Sequence, residues 1–401
     1  MSASVNSKTK ASKGQRLFGQ YYTCSEVSRL LVERIDCQSA VRSVIDLCVG
    51  QGALLHAARE RYPNAQLYGY DIDPINIKSI NQCADSYINA YHVDTTSENL
   101  IAQLPTNTFD IVLGNPPFGT TPRSHFITSL LKDFGWDWSS TVIPLEVLYL
   151  VLGLRLTKPG GVLSYIVPDG IITNDKFSKF RKVLIENYKV KKVTYLGNDR
   201  FYGTEARTHL ITIENTKPHR NFEIIVDSIN ECTKVISIST EQFKERGDYV
   251  FNTMPAFISA IPLKNFDVHI FRGRESHKNL DDSKREVIHT TSFKSEYREF
   301  SNSANSIDGK GTVVKGDILI ARVGSRIIGR VGFVKKGCFA ISDCIIAIRA
   351  RNKFDRAAIL QVLKSPYGKN WLESVSKGVG AKHITMKSIK EFPIHHDFQT
   401  S

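Results

Sequence analysis

The sequence predicts an α/β protein, with a doubly wound parallel sheet in its first half and a separate, basic, β-rich unit after it. Three observations carry this. Short apolar, β-branched segments alternate with helical patterns over the first 215 residues, the order that builds a parallel sheet covered on both faces. A strand, a glycine turn and a helix follow one another across residues 41–62, the nucleotide-binding order of such sheets. The formal charge of +13 is unevenly divided: residues 250–401 hold 25 Lys/Arg against 14 Asp/Glu, a net of +11, and the preceding 249 hold 28 against 26, a net of +2.

A chain of 401 residues exceeds one ordinary core, so two domains are expected. With 41% hydrophobic and 23% charged residues the composition is that of a globular protein, and no apolar run approaches a membrane span. Residues 1–15 are rich in Ser and Lys without an apolar segment, which reads as a flexible tail and not a signal peptide. The seven cysteines (24, 37, 48, 83, 232, 338 and 344) form no CxxC pair. They read as reduced thiols of a cytoplasmic protein, with neither a disulfide frame nor a metal site. The basic half calls for a polyanion, because cationic side chains that neutralise phosphates release counterions.

Along the chain, Gly19-Gln20-Tyr21-Tyr22-Thr23 precedes a capped helical pattern over 25–35. A strand over 41–47 ends at Asp46 and enters the small-residue turn Cys48-Val49-Gly50-Gln51-Gly52. The third glycine of a dinucleotide fingerprint is missing, so a dinucleotide is disfavoured. The second strand, 66–70, ends at Asp71-Ile72-Asp73-Pro74, about 20 residues past the glycine turn, where an acid accepts from ribose hydroxyls. Asp73 and Pro74 read as the cap of the next helix. A third short strand over 90–94 ends at Asp94, and a fourth covers 109–113. Any one of these acids could simply cap a helix; together they mark the carboxyl edge of a sheet, where such folds bind ligands.

The fourth strand runs into Gly114-Asn115-Pro116-Pro117-Phe118-Gly119. Two consecutive prolines fix their own φ, donate no N–H and push the preceding residues towards extended geometry. The loop is therefore rigid, with free carbonyls, an amide side chain and an aromatic face. Those parts suit a planar amino group: oxygens accept its two hydrogens and a ring stacks on the attached base. Beyond it, helices are expected over 126–134 and 145–156, with Lys158-Pro159-Gly160-Gly161 breaking the second and a fifth strand over 162–168. Strands over 190–196 and 209–214 read as a closing hairpin.

On these residues the sequence resembles the S-adenosylmethionine-dependent amino-group DNA methyltransferases, in particular N6-adenine enzymes with an amino-terminal catalytic domain. The resemblance covers about residues 16–215. It implies a Rossmann-like, seven-stranded methyltransferase sheet. It assigns the cofactor S-adenosyl-L-methionine to Tyr22, Thr23, Asp46, Gly50, Gly52, Asp71, Ile72, Asp94 and Asn115, and catalysis to Asn115, Pro116, Pro117 and Phe118. Where the family carries Pro after the Thr of the 19–23 motif, Cys24 stands here. The resemblance also implies an aromatic that stacks on the far face of the target base, for which Phe201 is chosen with Tyr202 as the alternative, and Phe118 on the near face.

The domain reading is a tail over 1–15, the methyltransferase domain over 16–216, a polar connector over 217–249 and a DNA target-recognition domain over 250–401. The last unit resembles the recognition domains of restriction-modification specificity subunits in Gly316-Asp317-Ile318-Leu319 and its glycine-rich continuation. Its α+β, β-rich pattern sets Arg322, Arg326 and Arg330 between short strands, and Lys377 and Lys382 in a basic loop; all five are candidate DNA contacts. The implied activity is methyl transfer to N6 of a flipped adenine in duplex DNA, with a cognate restriction endonuclease on a separate chain. The rivals are RNA or protein-glutamine methylation by the same tetrapeptide and a non-catalytic specificity protein. Asn at 115, where N4-cytosine enzymes more often carry Ser, favours adenine.

Overall fold

The computed structural model describes residues 25–37, 40–82, 87–197, 207–218, 221–230, 234–255, 259–276, 286–304, 311–324, 326–377 and 382–395. Tyr22, Thr23, Phe201 and Tyr202 lie outside them. The chain divides into two units, Met1–Asn252 and Thr253–Ser401.

The first unit opens with α1 (Ser25–Glu33), β1 (Ser43–Asp46), α2 (Ala53–Arg61), β2 (Gln66–Asp71), α3 (Pro74–Gln82), β3 (Ile88–His92), α4 (Glu98–Gln103) and β4 (Phe109–Gly114). A hairpin of β5 (Thr120–Pro122) and β6 (Val142–Pro144) encloses α5 (His125–Asp133) and leads into α6 (Leu145–Leu156) and β7 (Thr157–Pro168). Next come α7 (Asp169–Thr173), α8 (Ser178–Asn187), β8 (Lys189–Gly197), β9 (Thr208–Glu214), β10 (Glu223–Ser228), β11 (Ile236–Ser239), α9 (Thr240–Glu245) and α10 (Tyr249–Asn252).

Nine strands form one sheet in the order β11-β10-β8-β9-β7-β4-β1-β2-β3. The run from β3 to β7 is parallel, and β9 is antiparallel to both its neighbours. The central strands are buried on both sides, so successive residues feed opposite cores. Ile45, Val112 and Leu163 face one cluster; Val44, Ile111 and Val162 face the other. Chain order reverses between β1 and β4, which opens a crevice at their carboxyl ends.

Three expectations are corrected. The sheet contains nine strands, not seven, because 223–239 adds β10 and β11 at its edge. Residues 217–249 are thus no connector: Ile224, Val226 and Ile238 are buried in these strands, while the exposed Ile225 and the polar residues around them obscure the alternation. Nor does Lys158-Pro159-Gly160-Gly161 separate helix from strand; it lies inside β7. There the Gly160 N–H donates to the Asn215 carbonyl at 2.9 Å, and a Cβ on Gly161 would sit 2.8 Å from the Asp110 carbonyl oxygen.

The second unit carries β12 (Ile261–Pro262), β13 (Val268–Arg272), β14 (Val287–Ile288), β15 (Tyr297–Ser301), β16 (Thr312–Val314), β17 (Ile318–Ala321), β18 (Val331–Lys336), β19 (Cys338–Ile341) and β20 (Ile345–Ala350). Helices α11 (Lys353–Lys364), α12 (Pro366–Ser374) and α13 (Met386–Lys390) and the short β21 (Pro393–Ile394) follow. A five-stranded sheet, β13-β20-β17-β18-β15, and a three-stranded one, β14-β19-β16, share this unit. Its main core gathers Ile318, Ile320, Ile346 and Ile348 with Leu363, Trp371, Leu372 and Phe392.

One buried cation ties the new sheet edge to the rest of the first unit. Arg181 on α8 is fully buried and donates to the carbonyls of Phe243 and Lys244 (both 3.0 Å), Ile171 (2.8 Å), Asn174 (3.0 Å) and Glu245 (2.8 Å). It caps the carboxyl end of α9 and fastens the turn after β7. Arg181→Met strands these carbonyls without donors. It is expected to lower stability by about 3 kcal/mol, read as a shifted midpoint in urea unfolding.

Candidate active site

The ladders align the predicted strand ends at one edge. Asp46 on β1 lies opposite Gly69 on β2 and Leu113 on β4, and Gly114 lies opposite Tyr165 on β7. The Cys48–Gly52 turn and the Asn115–Gly119 loop therefore leave neighbouring strands on the two sides of the chain reversal.

Asp46 is 1% exposed. Its Oδ1 accepts the Cys48 N–H at 2.8 Å, and its Oδ2 is buried without a partner. Burial pushes this carboxyl up to about 7, the Cys48 N–H opposing and the charge of Asp71 adding. Gly50 and Gly52 hold left-handed φ values of 53° and 85°, which L side chains rarely adopt, and α2 starts from the second. Asp71 is built into this turn: Oδ2 accepts the Gly50 N–H at 2.7 Å, and Oδ1 accepts the Asp73 N–H at 2.8 Å and the Asn76 amide at 3.3 Å. Its carboxylate fixes the glycine turn as well as facing the edge, a double duty that the ribose assignment alone did not include. Asp73 caps α3 through the Ile75 N–H at 2.9 Å. Ile72 is exposed, and the exposed Asp94 accepts the N–H and hydroxyl of Thr96 at 2.8 and 2.7 Å.

In the proline loop Pro116 is buried, while Asn115, Pro117 and Phe118 are half-buried, with Phe118 packed against the Val44 core. Gly114 leaves no room for a side chain, since a Cβ would meet the Tyr165 ring at 2.9 Å. The loop's exit is pinned where the Leu145 N–H donates to the Gly119 carbonyl at 3.0 Å. Beside that pin stands Glu146, which the sequence reading missed. Its Oε2 is buried without a hydrogen-bond partner, and burial raises its pKa above the usual glutamate value, with its own N–H and that of Gly119 opposing. The available signal was an acid in the first turn of an otherwise apolar helix, α6.

In the second unit the five candidate DNA contacts separate. Arg326 is exposed. Arg322 is half-buried and donates to the Asp343 carbonyl at 3.2 Å. Arg330 donates to the Phe293 carbonyl at 2.7 Å and pairs with Glu296 at 3.9 Å, so it is tied down and does not project freely. Lys377 and Lys382 are corrected more strongly: they are 8% and 7% exposed and do not stand in solvent. Reciprocal backbone bonds between Lys377 and His383 (2.9 and 2.8 Å) draw this segment in, and the Ile384 N–H joins it to the Arg322 carbonyl at 2.9 Å. The result is a cluster of like charge. Burial and then Arg272 lower the pKa of Arg322; burial, Arg322 and Lys377 lower that of His383. Arg272 also lines a cleft of about 910 Å³ with Arg274, His269, Phe271, Thr312 and Arg349.

Among the described residues no group of three or more His, Cys, Asp or Glu is placed to hold a metal ion, and no helix is long and apolar enough to cross a membrane. Residues 7–253, more than half of the 401-residue chain, match the family described as N-6 DNA Methylase. The chain belongs to the N-6 DNA methylase family. The relatives it resembles include the modification methylase CviBIII of Paramecium bursaria Chlorella virus NC1A, 25% identical over 174 residues, 43% of this chain and 43% of that protein. The methylase subunit of the type I restriction enzyme MpnII of Mycoplasma pneumoniae is 22% identical over 241 residues, 54% of this chain and 44% of that one. A release factor glutamine methyltransferase of Bifidobacterium longum is 28% identical over 174 residues, 39% of this chain and 58% of that one. The matches thus span under two thirds of each relative's own length. Within this family the Asn115–Gly119 loop and the Cys48–Gly52 turn are the two halves of the candidate site.

Proposed function

We propose that the chain is a site-specific, adenine-specific DNA methyltransferase of a restriction-modification system, using S-adenosyl-L-methionine. The observation that carries this is the pairing of a proline-stiffened Asn115-Pro116-Pro117-Phe118 loop with a buried Asp46 whose second oxygen lacks a donor, on adjacent strand ends. The cofactor fits these residues: Asp46 would hold its amino group, the left-handed Gly50 and Gly52 keep the turn free of side chains, and Asp71, Ile72 and Asp94 would take its nucleoside end, as Tyr22 and Thr23 would its methionine end. When bound, the cofactor supplies a methyl group on positively charged sulfur.

The chain's own part is positioning. The target amine lies inside the base stack, so the base must be extruded to reach the loop. The Asn115 side-chain oxygen and the Pro116 carbonyl accept the two N6 hydrogens and orient the nitrogen lone pair. Phe118, with Phe201 on the opposite face, holds the ring in plane. Aligned hydrogen bonding of this kind supplies most of the acceleration where no covalent enzyme intermediate is required. Asn115→Ala is expected to bind the methyl donor as before while methylation falls on the order of 10²–10³-fold in a labelled-methyl transfer assay.

Donor binding carries a pH signature. An ammonium group beside Asp46 favours the ionised carboxylate, so affinity is full above the folded value of about 7 and declines as pH falls through it. Below that point calorimetry is expected to show about tenfold weaker binding per pH unit, and Asp46→Asn to lose both the affinity and the slope.

Duplex DNA is the partner the second unit supports, through its net charge of +11 and the cluster of Arg272, Arg322, Lys377 and His383. Like charges held together against their own repulsion suit an incoming phosphate. Replacing Arg272 and Arg322 by Ala is expected to weaken DNA binding on all sequences alike and to lower the salt slope by about one unit for each phosphate no longer neutralised. The likeness to a release factor glutamine methyltransferase favours a second reading, protein methylation at the same loop. The basic second half argues for DNA, with any cognate endonuclease on another chain.

A further inference from the structure

α6 turns an apolar face to the core, yet Tyr149 is buried in it. A buried phenol needs a partner for its O–H, and the partner here comes from the turn after β3. The Tyr149 hydroxyl lies 2.7 Å from Oγ1 of Thr95, itself buried, and Thr95 Oγ1 lies 3.1 Å from the Leu47 carbonyl oxygen. Proton count fixes the direction of these bonds. A carbonyl only accepts and a threonine hydroxyl has a single proton, so Thr95 donates to Leu47 and Tyr149 donates to Thr95.

The Leu47 carbonyl is one end of a rigid peptide group whose other end is the Cys48 N–H. That N–H donates to Oδ1 of Asp46 at 2.8 Å. Phenol, hydroxyl, peptide and carboxylate therefore form a chain that runs one way, from α6 to the end of β1. Hydrogen bonds in series polarise one another, and at low dielectric the effect is strong. The chain stops at Asp46 Oδ2, which is buried without a partner. Buried donors leading to an unmet acceptor prepare that atom for a donor brought by a ligand. Thr95 itself stands on a fixed turn, because Val93 donates its N–H to the Asp71 carbonyl at 2.9 Å.

We propose that Tyr149 and Thr95 are positioning residues for the methyl donor, which orient the Asp46 carboxylate towards the donor's amino group through the Leu47–Cys48 peptide. This rests on the methyltransferase reading of the site. A carboxylate accepts a stronger hydrogen bond than a neutral carboxyl, so the chain favours the ionised Asp46 that an ammonium group needs. The other groups facing Asp46 are Asp71 on β2, whose charge raises its pKa, and the Cys48 thiol and the Tyr165 phenol of β7, both kept neutral by burial. Taking the chain away raises the Asp46 pKa beyond its folded value of about 7. The loss of donor affinity is then greatest at and below neutral pH. It shrinks at alkaline pH, where Asp46 is ionised with or without the chain.

The test is calorimetry of S-adenosyl-L-methionine and of adenosine with the full chain across pH, beside isotope-edited NMR of the aspartate carboxyls without ligand. Tyr149→Phe and Thr95→Val are expected to bind the methyl donor about fivefold more weakly at neutral pH, with the acidic limb moved up by about one pH unit. Adenosine, which lacks the amino group, should bind both variants as it binds the native chain. Thr95→Ser, which keeps the hydroxyl, should show the native affinity and limb. The Asp46 carboxyl should titrate higher in Tyr149→Phe and Thr95→Val with no ligand present. Tyr149→Phe removes a single oxygen atom, and it decides the matter if Thr95→Val does not fold. A native limb and a native titration in Tyr149→Phe overturn the proposal, as does an equal loss of donor and adenosine at every pH, which marks damage to the fold alone. A native chain that binds no methyl donor, while its Asp46 titration moves as expected in the variants, supports the positioning role and refutes the methyltransferase reading.

Discussion

The first unit is organised around the burial of carboxylate charge at the carboxyl edge of a parallel sheet. Reversal of strand order between β1 and β4 opens a crevice there, and the walls are apolar on both faces of the sheet. Into that dry edge the chain puts Asp46, with one oxygen engaged by the Cys48 N–H and the other unmet, and beside the proline loop stands Glu146, one of whose oxygens is buried without a partner. A folded protein keeps such groups only where something else requires them. Asp71 differs: both of its oxygens are engaged, and through Gly50 it makes the glycine turn rigid before any ligand arrives.

The contrast between Asp46 and Asp71 explains how the edge is prepared. The turn held by Asp71 is fixed by its own hydrogen bonds, whereas Asp46 is a buried carboxyl whose pKa burial raises to about 7. The same shift makes the empty domain less stable as pH rises from the ordinary aspartate range towards 7, because the folded state prefers the neutral acid. On the proposed reading, stability and donor binding pull in opposite directions at Asp46.

Much of this was legible in the sequence, for a definite reason. β1 and β4, which lead into the Asp46 and Asn115 loops, are apolar and largely buried, and glycine or proline lies soon after the ends of β1, β2 and β4, so pattern and punctuation fall close together. Where they do not coincide, sequence reading failed. β10 and β11 lie at the edge of the sheet, and their exposed Glu223, Ser237 and Ser239, together with the exposed Ile225, broke the alternation, so they passed for a connector. Glu146 comes beside the proline loop because the β5/β6 hairpin returns the chain to Gly119, and an acid in the first turn of α6 was its one local sign. Lys377 and Lys382 looked solvated by composition, yet backbone pairing around His383 buries them, and Arg272 enters their neighbourhood from a strand more than 100 residues earlier.

The proposed role of the proline loop is to present an extruded adenine amine to a methyl donor. That role is tested most directly by reading modified bases in DNA from cells that express the chain, beside cells expressing Asn115→Ala. N6-methyladenine at one recurrent sequence, present with the native chain and absent with the variant, is the predicted result. Unmodified adenines in both, or equal modification in both, would contradict it.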